Sequence, residues 1–184
     1  MTYPSAPLGE IASVVPGYAF KSADWSDEGT RVIRIKSLAH GAYVDLDQMV
    51  CVPAEVASRA GDRFVAQGGD LLIAMTGATA GKVSRMRPGC TAMVNQRVAR
   101  VQARSVDPRY LWAVMSSLEM EERLYRLADG AAQPNMSGGQ LERFLVPVAP
   151  EQTQRRIAAI LSAYDDLIEV NTQRIAILEE MAQR

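Results

Sequence analysis

The chain has 184 residues, 48% of them apolar and 22% charged, and a formal net charge of −1. This balance suits one folded domain with an appendage; it excludes a disordered polyelectrolyte and an indiscriminate polyanion binder. No stretch of about eighteen apolar residues and no signal or transit pattern occurs, so a cytoplasmic protein without a membrane span is expected.

Residues 8–20 read as a short helix or strand broken at Pro16-Gly17, followed by a polar loop over 22–29. Residues 31–36 alternate basic and apolar side chains, which predicts a half-buried strand with Arg34 and Lys36 on its open face. Pro53 and Gly61 bracket a short helix. Residues 69–75 predict a buried strand that enters a loop of small residues, Thr76 to Gly81. Further strands are expected over 82–86 and 95–101. Asp107-Pro108 supplies the N-cap and first turn of a helix, and a second helical stretch covers 118–127. A loop spans 129–136. Ser137 and Gln140 form a capping box for a short helix ending near Phe144. Residues 145–148 predict an edge strand, because Pro147 cannot donate to a central ladder. Many short strands and few long helices make the body α+β.

Past Pro150 the pattern changes. Ile157, Leu161, Tyr164, Ile168, Asn171, Ile175, Leu178 and Ala182 recur in alternating steps of four and three. That is the a/d seam of a coiled coil, with Asn171 as its one polar member and the residue expected to fix register. A helix over 151–184 would be about 50 Å long, longer than the roughly 30 Å breadth of a body of this size. It must overhang, and its bare stripe calls for a partner helix.

Catalytic constellations are missing from the sequence. Cys51 and Cys90 fit no CxxC or zinc spacing and read as free thiols. The lone histidine, His40, has no neighbour at ligand spacing. Gly77 to Lys82 resembles a phosphate-binding Walker loop but is one residue short between its glycines, and Val83 stands where Mg²⁺ needs a hydroxyl. Two readings remain for that loop: a tight structural turn, or a phosphate contact through Thr76, Thr79 and Lys82. Residues 71–106 contain no acid but hold Lys82, Arg85, Arg87, Arg97, Arg100 and Arg104. Such a block is either a phosphate footprint or a face whose arginines pair with acids elsewhere. Asn95, Gln96, Arg97, Gln133 and Asn135 are side chains suited to base edges, and equally to local turns.

Three stretches resemble the specificity subunit of type I restriction–modification systems. They are 69–83 with its Thr-Gly-Ala-Thr-Ala-Gly-Lys loop, Asn95-Gln96-Arg97, and 145–161 with its Pro-Glu-Gln entry to a long helix. Residues 7–12 and 130–136 also fit the start and late loop of that family. The resemblance implies a target recognition domain over 1–149, which reads one half of a split DNA sequence, and a conserved-region helix over 150–184. It also implies a non-catalytic chain. S-adenosylmethionine would serve partner modification subunits that methylate adenine. ATP and Mg²⁺ would serve a motor–nuclease subunit in a restricting complex.

The family subunit has two such domains and two antiparallel helices, whereas this sequence has one of each. It is either a half-subunit or a fragment; as a half-subunit it is expected to pair with a second copy through the helix and read an inverted repeat. On duplex DNA, Thr76, Thr79, Lys82 and Arg85 are expected on phosphates, and Lys36, Asn95, Gln96, Arg97, Gln133 and Asn135 near base edges. The rival expectation is a coiled-coil adaptor with no DNA contact.

Overall fold

The computed structural model describes residues 3–38, 42–128 and 134–183. In chain order the elements are β1 (Ser5–Pro7), α1 (Leu8–Ile11), β2 (Ala12–Pro16), β3 (Thr30–Ile33), β4 (Val50–Val52), α2 (Ala54–Ala60), β5 (Val65–Gln67) and β6 (Leu71–Ala74). They continue with β7 (Val83–Arg85), β8 (Thr91–Val94), β9 (Val98–Ala103), α3 (Pro108–Met115), α4 (Leu118–Ala128), α5 (Gly138–Glu142), β10 (Leu145–Pro147) and α6 (Glu151–Gln183). The α+β class expected from the sequence is the one observed.

Two four-stranded sheets form the body. One has the order β2-β9-β6-β7 and is antiparallel throughout; the other has the order β4-β3-β8-β5, with β3 and β8 parallel. Period-two alternation fixes what each face buries. In β6, Leu71 and Ile73 join Leu8, Tyr110, Leu111, Met115 and Leu124 under the helices. Leu72 and Ala74 point the other way and meet Ile33, Met86 and Val94 between the sheets. On the far side of the second sheet, Val32 and Met93 pack with Phe20, Trp25, Phe64 and the α2 residues Val56, Ala57 and Ala60. The layers are therefore helices, sheet, sheet, and an aromatic layer with α2. β1 and β10 form a separate two-stranded ribbon.

Local chemistry sets the helix starts as the sequence indicates. Asp107 Oδ1 accepts from the backbone N–H groups of Arg109 (2.8 Å) and Tyr110 (3.1 Å). Ser137 and Gln140 close a reciprocal capping box.

Two strand boundaries differ from expectation. The strand expected over 31–36 stops at Ile33, because Ser37 folds back. Its Oγ accepts from Arg34 N–H at 3.2 Å, and its own N–H donates to Arg34 C=O at 2.9 Å. Lys36 consequently sits on a 3₁₀ turn, Ile35–Leu38. The strand expected over 95–101 starts at Val98. Asn95, Gln96 and Arg97 are instead the turn by which the chain leaves β8 in one sheet for β9 in the other; Val98 N–H closes it on Asn95 C=O at 2.9 Å.

Helix α6 has 33 residues, about 50 Å of length. Its root belongs to the body core. Gln154 and Ala158 are buried, and Ile157 packs against the helix-side cluster. Gln154 bolts this root: Oε1 accepts from Asp107 N–H at 2.9 Å and Nε2 donates to Ala149 C=O at 2.8 Å. Beside it, Tyr110 donates through its hydroxyl to Pro147 C=O at 2.9 Å and accepts from Ala149 N–H at 3.1 Å. Burial raises the Tyr110 phenol above its ordinary value, so it stays a neutral donor.

Candidate nucleic-acid interface

Five segments converge at one end of the two sheets, and their backbones hold them together. Met75 N–H donates to Arg97 C=O, Met136 N–H to Met75 C=O, and Gly77 N–H to Pro134 C=O, each at 2.9 Å. Gln96 N–H donates to Tyr18 C=O at 2.9 Å, and Asn95 N–H to Ile33 C=O at 3.0 Å. The approach of Tyr18 depends on Gly17, where a Cβ would meet Asn95 C=O oxygen at 2.3 Å and Val94 oxygen at 2.4 Å. Thr76 and Asn135 form an isolated antiparallel bridge.

This convergence brings together Thr76, Asn95, Gln96, Arg97 and Asn135, residues far apart in sequence. Gln96, Arg97 and Asn135 are exposed, while Thr76 is half-buried. Asn95 is buried, and its Oδ1 faces Arg97 N–H at 3.4 Å, so it shapes the turn. Lys36 is exposed on the 3₁₀ turn that follows β3, whose end is bonded to Asn95. Gln133 and His40 lie outside the described residues. The amide and hydroxyl groups on this rim can donate and accept, and the cationic guanidinium donates, which is the chemistry that meets base edges and phosphate oxygens.

The small-residue loop has a different setting. Gly81, with φ +84°, lies against α4, where a Cβ would meet Tyr125 N at 2.8 Å and Glu121 O at 2.9 Å. Glycine is required here for a close strand-to-helix contact, which accounts for the motif structurally. Thr79 is half-buried, and its C=O accepts from Lys82 N–H at 3.0 Å. Lys82 Nζ pairs with Glu121 Oε2 at 2.8 Å, its side chain half exposed.

The acid-free stretch over 71–106 is not a stripe of uncompensated charge. Besides the Lys82 pair, Arg100 faces Asp70 at 3.6 Å and donates to Val65 C=O at 2.6 Å. Arg85, expected on a phosphate, is largely buried; it pairs with Asp165 of α6 at 2.9 Å. Its guanidinium also lies over Tyr43 (4.3 Å) and Trp112 (5.0 Å). Arg85 therefore ties the long helix to the body, because its charge is compensated inside the molecule. Arg87 stacks over Tyr43 at 5.1 Å. Arg97 and Arg104 are exposed.

Along α6, Leu161, Tyr164, Ile168, Ile175 and Leu178 are 40–65% exposed, and Asn171 is exposed with them. Ile157 departs from the expected seam: body packing takes it. Among the described residues no group of three or more acidic, histidine or cysteine side chains could hold a metal, and no helix is long and apolar enough to cross a membrane.

A family described as the type I restriction modification DNA specificity domain matches residues 3–180. The type I restriction enzyme EcoAI specificity subunit of Escherichia coli is 28% identical over 172 residues, covering 88% of this chain and 28% of the relative. Among solved structures, the type I restriction–modification S subunit from M. genitalium superposes with a TM-score of 0.69 at 15% identity, over 96% of this chain and 42% of that one. The HsdS subunit from Thermoanaerobacter tengcongensis gives 0.66 at 18% identity, over 94% and 40%. These two structures share the fold with this chain, and the chain spans less than half the length of each of these proteins.

Proposed function

The chain belongs to the type I restriction–modification DNA specificity family, and from that premise we propose that it reads one half of a bipartite DNA target and docks modification subunits there. The family consists of specificity subunits, which are not catalytic. In this reading the protein works in the cytoplasm, and the chemistry belongs to its partners. S-adenosylmethionine serves the modification subunits, and ATP with Mg²⁺ serves a motor–nuclease subunit where one is present.

The observation that carries the reading is the convergence of Thr76, Gln96, Arg97 and Asn135 on one rim, with Lys36 on the adjoining turn. Backbone bonds fix that rim, so its side chains are presented on a rigid scaffold, as recognition of base edges requires. The exposed seam from Leu161 to Leu178 supports pairing with a second copy.

Selection from a random-sequence duplex library tests the proposal. The chain should retain DNA sharing a short motif, with affinity falling steeply as salt rises from about 50 to about 200 mM. Retention of no duplex, or binding indifferent to salt, would sink it. That outcome would favour the adaptor reading, which the internal pairing of Lys82, Arg85 and Arg100 supports.

A further inference from the structure

Arg34 follows directly on β3 and stands beside Asn95, because Ile33 pairs with Val94 in parallel register and Asn95 N–H donates to Ile33 C=O. It thus borders the turn that presents Gln96 and Arg97. Its backbone is pinned by Ser37 through both N–H and C=O. Three arginines among the described residues keep a buried side-chain nitrogen without a hydrogen-bond acceptor: Arg34, Arg85 and Arg100. Arg85 has Asp165, and Arg100 has Asp70 and the Val65 carbonyl.

Arg34 has no such compensation. Its Nε is buried and unpaired, while the rest of the guanidinium keeps contact with solvent. A buried donor left without an acceptor is destabilising unless a partner arrives from outside. The backbone of Arg34 is fixed and its Nε is buried, so the solvent-contacting remainder of the guanidinium is a planar fork of donors held at the protein surface. Such a fork matches two adjacent acceptors, as on a phosphate or on the O6/N7 edge of guanine.

We propose that Arg34 is a direct DNA contact, its guanidinium closing on a pair of acceptors presented by the duplex next to the Gln96–Arg97 turn. The proposal rests on the DNA-reading function above and adds to it a residue outside the expected contact set.

The test compares the full chain with Arg34→Met and Arg34→Lys, using the random-sequence duplex library, salt titrations of the selected duplex, and thermal melting. Arg34→Met should bind about ten- to a hundredfold more weakly. Its melting midpoint should be unchanged or higher, because an uncompensated buried donor is gone. A guanine contact relaxes one position of the selected motif and is not rescued by lysine. A phosphate contact weakens all sequences alike, lowers the salt slope by about one, and is largely rescued by lysine. Unchanged affinity and motif in Arg34→Met would overturn the proposal. So would a binding loss that merely tracks a lowered melting midpoint in both variants. If the unaltered chain retains no duplex, the DNA reading itself falls, and this assignment with it.

Discussion

Asp70 shows how a single side chain carries both fold and pH response. Its Oδ2 accepts from Gln67 N–H at 2.9 Å and faces Arg100 at 3.6 Å, yet burial outweighs both and raises its carboxyl above the ordinary 3.8. Folding therefore favours the protonated acid. As pH falls from neutrality towards 3.8, the folded state takes up a proton before the unfolded one does, so this residue adds stability. The same contribution is lost as pH rises through the folded value. Asp70→Asn removes the titration. Urea denaturation of both proteins across that window should show the original chain gaining on the variant as pH falls; parallel stability curves would refute the assignment. The residue scale also explains why the acid-free stretch over 71–106 misleads as a footprint. Three of its six charges, on Lys82, Arg85 and Arg100, are compensated by Glu121 and Asp165, which lie outside the stretch, and by Asp70 at its border.

At the scale of elements, the root of α6 is where one substitution reaches furthest. Gln154 joins Asp107, the N-cap of α3, to Ala149, the last residue before Pro150. Gln154→Ala leaves an N–H and a carbonyl without partners and should cost about 1–3 kcal/mol. Gln154→Glu keeps an acceptor for Asp107 but loses the donor to Ala149, and it buries a charge, so it should be no better. Denaturant midpoints of the two variants check this, and midpoints equal to that of the unaltered chain would show that the bolt is idle.

Features with local causes were legible in the sequence: the Asp107 cap, the Ser137–Gln140 box, the edge strand at Pro147 and the α6 seam. The Asn95–Arg97 turn was not, because only tertiary pairing puts β8 and β9 in different sheets. The end of β3 was hidden likewise, since Ser37 turns the chain against an alternating pattern. In the candidate site, residue types pointed to Gln96, Arg97 and Asn135. Their meeting with Thr76 depends on backbone bonds between distant segments, which spacing does not encode.

At the scale of the molecule, the body buries its apolar core, whereas the outer part of α6 leaves large apolar side chains exposed. Ile168, Ile175 and Leu178 are 57–65% exposed on the stretch of helix that follows Asp165, the partner of Arg85. A second copy laid antiparallel would bury this stripe. The seam steps read the same in both directions, so seam positions meet seam positions when the helix is reversed. Two readers would then be related by a dyad, and their target would be a split inverted repeat with spacing set by the helices. Ile168→Glu places a charge in that stripe without touching the body core. Sedimentation at micromolar concentration should show a dimer for the original chain and a monomer for the variant, with the thermal midpoint of the body changed little. Asn171→Leu should do the reverse, tightening association while loosening the choice of register, because the polar seam residue no longer penalises misaligned pairs. A monomeric original chain, or an Ile168→Glu variant that still dimerises, would assign the seam to a different partner helix. Methylated-adenine maps from cells carrying the chain with the proposed modification subunit would then separate the cases: a palindromic split motif follows from two identical readers, and an asymmetric one requires a second reader of different sequence.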